Sequence, residues 1–160
     1  MTPEKALNIA AGICSQKEYC TQEIREKLQK WELSENEITH ILASLRQHRF
    51  IDDRRFATFY ARDKFRFNKW GRQKIAQMLR QKKIEPAIIQ EALAQLPPED
   101  YDTTCLSLLQ GKLKTLKNDT PLRIKAKLIR FAAGRGFDLD TINRCLSRLS
   151  LNVPDEQWDE

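Results

Sequence analysis

The chain repeats its own apolar skeleton at an interval of 51 residues, and this period constrains its fold more than any other feature. The shift lays Gln22, Ile24, Leu28, Leu33, Ile38, Leu42, Ala43 and Leu45 on Gln73, Ile75, Leu79, Ile84, Ile89, Leu93, Ala94 and Leu96 without a gap. A third copy follows at a shift of 49, with Ile124 and Leu128 on Ile75 and Leu79. Beyond FAAGRG the shift becomes 53, and Phe137, Ile142, Leu146 and Leu149 fall on Ile84, Ile89, Leu93 and Leu96. The four added residues make about one helical turn, so the same face stays inward.

Each copy reads as three helices. In the first, Thr2 and Pro3 supply a cap and first-turn pair ahead of Ala6, Leu7, Ala10, Ala11 and Cys14, a stripe at helical spacing. Thr21 is expected to cap a helix carrying Ile24 and Leu28, and Ser34 with Glu37 forms a capping box ahead of Ile38, Ile41, Leu42 and Leu45. In the second copy Asp52 caps a helix bearing Phe56, Phe59, Tyr60 and Phe67, Gly71 interrupts, and Glu85-Pro86 starts the third helix. The third copy opens after Pro97-Pro98, restarts at Thr120-Pro121, breaks at Gly134 and Gly136, and restarts at Asp138. Strand-like alternation appears nowhere. The expected fold is all-α, a tandem array of three three-helix modules, elongated and curved, each module leaning on its neighbour. Its boundaries fall at 1–51, 52–97 and 98–150, with an acidic tail, 151–160, expected to fray.

Composition narrows the function. With 41% hydrophobic and 31% charged residues in 160, the chain can bury a core without disulfide or metal staples. No apolar run is long enough to span a membrane, and the start, MTPEKALN, lacks the basic and apolar regions of a secretory signal, so a cytoplasmic protein is expected. Cys14, Cys20, Cys105 and Cys145 show no paired spacing and read as reduced, mostly buried thiols. His40 and His48 lack acidic partners at ligand spacing beyond Glu37, which reads as an exposed helix neighbour. With no phosphate loop, nucleophile elbow or metal-binding motif present, no enzyme, no metal and no cofactor are expected.

The net charge of +6 is local. Residues 1–51 carry 7 basic and 7 acidic side chains, 52–97 carry 11 and 5, and 98–160 carry 10 and 10. Two runs stand out: Arg62–Lys83 has nine basic residues against Asp63, and Lys112–Arg135 has eight against Asp119. Such runs suit a surface that meets phosphates or an acidic partner. On the helix DRRFATFYARDKFRFNKW, Phe56, Phe59, Tyr60, Asp63 and Phe67 share one sector, expected to pack. Arg55, Arg62, Arg66 and Lys69 form the adjoining basic stripe. Phe65 lies outside both sectors and reads as a contact to the neighbouring module, with an exposed stacking surface as the alternative. Gly71, Arg72 and Lys74 follow, then Arg80, Lys82 and Lys83.

The string FIDDRRFATFYARDKFRFNKWGRQKIAQMLRQKKI resembles the central module of the RecX family. That pattern runs aromatic-aliphatic, Asp-Asp-x-Arg-Phe-Ala, a later Arg, then Gly-x-x-x-Ile-x-x-x-Leu-x-x-Lys-x-Ile. Asp52, Asp53, Arg55, Phe56, Ala57, Arg62, Gly71, Ile75, Leu79, Lys82 and Ile84 stand at those places, and the flanking copies extend the similarity over roughly residues 5 to 149. Two positions depart from the pattern: Lys83 stands where glycine is usual, and Arg72 where proline is.

The resemblance implies a cytoplasmic, non-enzymatic regulator of the RecA recombinase, acting in homologous recombination, DNA repair and the SOS response; a monomer is expected. Members bind the RecA–DNA filament along its groove and restrain its growth, strand exchange, ATPase and co-protease activity. An elongated, curved array would suit such a groove. Asp52 is then structural as a cap, and Phe56 and Ala57 are core. The expected contacts to RecA and to single-stranded or double-stranded DNA are Arg55, Arg62, Arg66, Lys69, Arg72, Lys74, Arg80 and Lys83. Read without the resemblance, the same residues also fit a sequence-tolerant DNA-binding protein acting without RecA, or a helical-repeat scaffold for an acidic partner.

Overall fold

The computed structural model describes residues 1–116 and 118–149, and among them are nine α-helices and no strand. They succeed one another in threes. The first set is α1 (Pro3–Gln16), α2 (Thr21–Gln29) and α3 (Glu35–Gln47). The second is α4 (Asp53–Asn68), α5 (Arg72–Gln81) and α6 (Pro86–Ala94), and the third α7 (Pro98–Leu113), α8 (Pro121–Gly134) and α9 (Leu139–Leu146). The acidic tail lies outside the described residues.

Local chemistry begins these helices. Thr2, Ser34, Thr120 and Asp138 each accept a backbone N–H from the first turn that follows, and the Ser34–Glu37 box closes in both directions. Asp52 Oδ1 accepts the Arg55 N–H at 3.0 Å. The second helix departs from expectation, since Cys20 rather than Thr21 is its cap. Thr21 is the first residue of the helix, and it donates both its N–H and its hydroxyl to Asp53 Oδ1, at 2.8 and 3.0 Å. Glu23 closes the start by accepting the Cys20 N–H at 3.0 Å.

The 51-residue period reappears in the backbone. Glu32, Lys83 and Gly136, spaced by 51 and 53, take left-handed φ values of 56°, 57° and 98° at the turn before the third helix of each set. Lys83 therefore holds, without a glycine's freedom, the conformation for which a glycine is usual.

Two compact units are present. The first comprises Met1–Tyr60 and Met78–Ala92; its core packs Ala6, Ala10, Ile24, Leu28, Ile38, Ile41, Leu42, Leu45 and Ile51, with Trp31 and Tyr19 at the margin. The second comprises Ala61–Gln77 and the described residues from Leu93 onward. Its α7, α8 and α9 pack on one another and bury Cys105, Leu109, Leu128, Ala132, Phe137, Ile142 and Cys145. Three aromatic rings continue inside it: Phe65 stacks on Tyr101 at 5.7 Å between centroids, and Tyr101 meets Phe137 at 5.0 Å. Phe65 is thus buried against α7, the neighbouring set, and offers no exposed stacking surface.

The packing face of α4 differs from expectation. Phe59 and Phe67 are 42% and 72% exposed, while Phe56, Ala57, Ala61 and Phe65 are buried. Ala57 and Ala61, one turn apart and both fully buried, mark the inward side of α4 better than the aromatic count does. Burial also governs the thiols. Cys20, Cys105 and Cys145 are buried and Cys14 half-buried, and desolvation pushes the Cys20 thiol up to about 12.

Candidate functional site

Asp53, Arg55 and Lys82, three charged members of the motif, hold the first unit together. Asp53 binds Thr21 at the start of α2, as described above. Arg55 Nε donates to Glu18 Oε1 at 2.8 Å, and its Nη2 donates to the Arg49 carbonyl at 3.2 Å. Lys82 Nζ donates to Glu23 Oε2 at 2.9 Å, with the Phe56 and Tyr60 rings about 6.0 and 5.8 Å away. Burial is the largest influence on Glu23 and favours its neutral form. The Cys20 N–H and the Lys82 ammonium outweigh it and hold the carboxyl below its ordinary value. Lys82 mirrors this, since burial lowers its pKa and Glu23 raises it by more.

The remaining expected contacts divide by unit. Arg80 and Lys83 are exposed in the first unit, where Arg55 is only partly so. In the second unit Arg62 and Arg66 are exposed on the last turns of α4, and Lys69, Arg72 and Lys74 are half-buried around the start of α5. Lys69, with φ 55°, donates through Nζ to Ser107 Oγ on α7 at 3.1 Å. The Arg72 guanidinium lies 3.9 Å from the Tyr101 ring centroid, and the Arg72 backbone N–H donates to the Tyr101 hydroxyl at 2.9 Å. A proline at 72 would lack that donor. Burial holds the Tyr101 phenol above its ordinary value, against the opposing pull of Arg72. The Lys64 and Lys74 ammonium groups lie 5.0 and 4.5 Å from the Trp70 ring.

Gly71 allows this arrangement. Its N–H donates to the Arg135 carbonyl at 2.7 Å, and Gln73 N–H donates to the Gly136 carbonyl at 3.0 Å, so the turn between α8 and α9 supplies acceptors for amides at the start of α5 that the helix itself cannot pair.

The later basic run is only partly a surface. Lys125 is 3% exposed, because it falls on the buried stripe of α8 with Leu128 and Ala132. Lys117 lies outside the described residues. Lys112, Lys127 and Arg130, with Leu116 and Phe131, line an open hollow of about 240 Å³. Asp119, the one acid of the run, takes Lys127 at 2.6 Å and Arg123 at 3.9 Å. No group of three His, Cys, Asp or Glu among the described residues could hold a metal ion, and no described helix is long and apolar enough to cross a membrane.

Known proteins share this organisation. Domain models described as the first, second and third three-helix domains of RecX match residues 6–45, 52–93 and 99–146. The regulatory protein RecX of Prosthecochloris aestuarii is 36% identical over 150 residues, covering 92% of this chain and 95% of that protein. The regulatory protein RecX of Bacillus mycoides is 29% identical over 157 residues, and the match spans 98% of this chain but 58% of the longer relative. The crystal structure of RecX from Lactobacillus salivarius superposes with a TM-score of 0.84 at 22% identity, over 92% of this chain and 96% of that one, a likeness of fold.

Proposed function

This chain belongs to the RecX family, and from that premise we propose that it binds a RecA filament on DNA and restrains the filament's extension, ATPase, strand exchange and co-protease activity. The observation that carries this reading is the succession of all three RecX three-helix domains, in order, along the chain. The chemistry on its surface agrees. Arg62, Arg66, Arg80 and Lys83 present exposed guanidinium and ammonium groups, and half-buried Arg55, Lys69, Arg72 and Lys74 are aligned by the bonds and rings described above. Such groups suit phosphates, each contact releasing condensed counterions, and carboxylates on a protein partner equally. The repeats are taken as 1–51, 52–97 and 98–150. The protein acts as a cytoplasmic monomer with no chemistry of its own.

The test is the DNA-dependent ATPase of RecA. Substoichiometric protein is expected to lower it by blocking extension, and an unchanged rate at equimolar protein would sink the reading. The exposed arginines also favour a second reading, DNA binding without RecA. Cosedimentation with filaments on single-stranded DNA, against DNA alone and RecA alone, separates the two.

A further inference from the structure

Phe67 is 72% exposed, more than any other large hydrophobic side chain among the described residues. Its position explains why. The buried stripe of α4 in the second unit ends on Phe65, and two residues turn a helix by about 200°, so Phe67 faces away from that core. Its surroundings are charged. The stretch 61–77 carries Arg62, Lys64, Arg66, Lys69, Arg72 and Lys74 against the single acid Asp63. The Arg66 guanidinium lies 5.6 Å from the Phe67 centroid, while exposed Asp63 and Arg66 surround it in sequence with exposed Asn68. Three residues on, Trp70 gathers two ammonium groups, Lys64 and Lys74, over one ring.

An aromatic side chain built to enter an apolar pocket on a protein is normally set within an apolar patch. Here the exposed ring is flanked by cations, with Asp63 the one acid beside it. That combination, an open π-face with positive charge on either side along the chain, suits an unpaired base and its flanking phosphates. A base in duplex DNA has both faces occupied and cannot use it.

We propose that Phe67 is a stacking site for an unpaired base of single-stranded nucleic acid, with Arg66 beside it and the Lys64–Trp70–Lys74 cluster holding adjacent phosphates. This deepens the nucleic-acid half of the function proposed above and rests on it. The ring supplies affinity that does not depend on charge, and the cations supply the part that salt removes.

The experiment measures binding of the full chain to labelled oligo(dT) and to a duplex of equal length, with Phe67→Leu, Phe67→Ala and Phe67→Tyr. Leu and Ala are expected to weaken oligo(dT) binding between about fivefold and a hundredfold, the range for loss of one stacked base, with an unchanged salt slope. Tyr restores binding, and duplex affinity stays the same in all. Melting curves confirm that the exposed substitutions leave the fold in place. Wild-type oligo(dT) affinity in Phe67→Leu overturns the proposal, as does an equal loss on oligo(dT) and duplex, or a wild type that does not bind oligo(dT). If Phe67→Leu lost only RecA binding, the ring would serve a protein pocket and the proposal would again fail. The RecA ATPase assay is scored separately: inhibition by a chain whose oligo(dT) affinity ignores Phe67 keeps the proposed function and rejects the stacking site. An ATPase left unchanged by a chain that stacks through Phe67 does the reverse.

Discussion

Gly71 and Gly136 meet backbone to backbone in the second unit. A Cβ on Gly71 would sit 2.6 Å from the Phe137 nitrogen and closer still to the Gly136 carbonyl, and neither neighbour is a side chain that could swing aside. Gly136 has φ 98°, and a Cβ there would lie 2.5 Å from Lys74 Cβ. The motif glycine of the second copy is therefore matched to the extra turn of the third. Gly71→Ala is expected to destabilise the protein by about 1–3 kcal/mol through overpacking and the weakened hydrogen bonds from Gly71 N–H to Arg135 and from Gln73 N–H to Gly136. The urea midpoint measures this, and a midpoint equal to wild type would mean the contact is not made in solution.

Lys83 offers the opposite change. An L-residue in the left-handed region costs about 1–2 kcal/mol, while glycine's extra unfolded-state freedom costs about 0.5–1 kcal/mol. Because Lys83 is exposed, little packing is lost with its side chain. Lys83→Gly should thus raise stability by roughly 0.5–1 kcal/mol, and Lys83→Ala should not. Thermal melting of the three proteins decides it, with no gain for Gly over Ala as the adverse result.

The Glu23–Lys82 pair predicts how stability responds to pH. The Glu23 carboxyl is held below its ordinary 4.5, so its contribution is complete above that pH and is lost as pH falls through the folded-state value. Lys82 is held above 10.5, so its contribution is complete below that pH and is lost as pH rises through its folded-state value. Glu23→Gln removes the carboxylate from the pair. It should cost about 1 kcal/mol near neutrality, discounted for partial exposure, and should flatten stability on both the acid and alkaline limbs. Parallel denaturation curves for variant and wild type across all pH values would refute the coupling.

Much of the fold is legible in the chain because its signals are local. Capping residues and a periodic apolar skeleton need only a few neighbours to be read, and Ser34, Thr120 and Asp138 start helices where their chemistry says. What escapes such reading is set by partners far along the chain. Asp53 reaches back 32 residues to Thr21, Arg55 37 to Glu18 and Lys82 59 to Glu23. No periodicity reveals that these motif charges tie elements together. The inward face of α4 was hidden for the same reason, although Ala57 and Ala61, one turn apart, were a usable sign beside so many aromatics. Lys125 shows the limit of counting charges, since its place on the stripe with Leu128 and Ala132 removes it from the surface to which its neighbours in sequence belong.

The basic stripe of α4 and its end can now be separated into two kinds of residue. Arg62 and Arg66 are exposed on regular helix, where alanine is a good substitute, so changing both to Ala should leave melting within about 0.5 kcal/mol of wild type. Lys69 is different, because its left-handed backbone and its bond to Ser107 make Lys69→Ala a structural change as well as a loss of charge. That substitution should cost about 1 kcal/mol, and Lys69→Gly should recover the backbone part. A triple alanine variant would therefore confuse folding with binding, and the double variant is the cleaner probe. If Arg62 and Arg66 both meet phosphates, the slope of log K against log salt should shrink by about 1.4 units on single strands and about 1.8 on duplex. If they pair with RecA carboxylates, filament binding weakens while naked DNA binding is untouched. Binding across a salt series to both targets distinguishes these outcomes, and wild-type behaviour of the double variant in both assays removes Arg62 and Arg66 from the site.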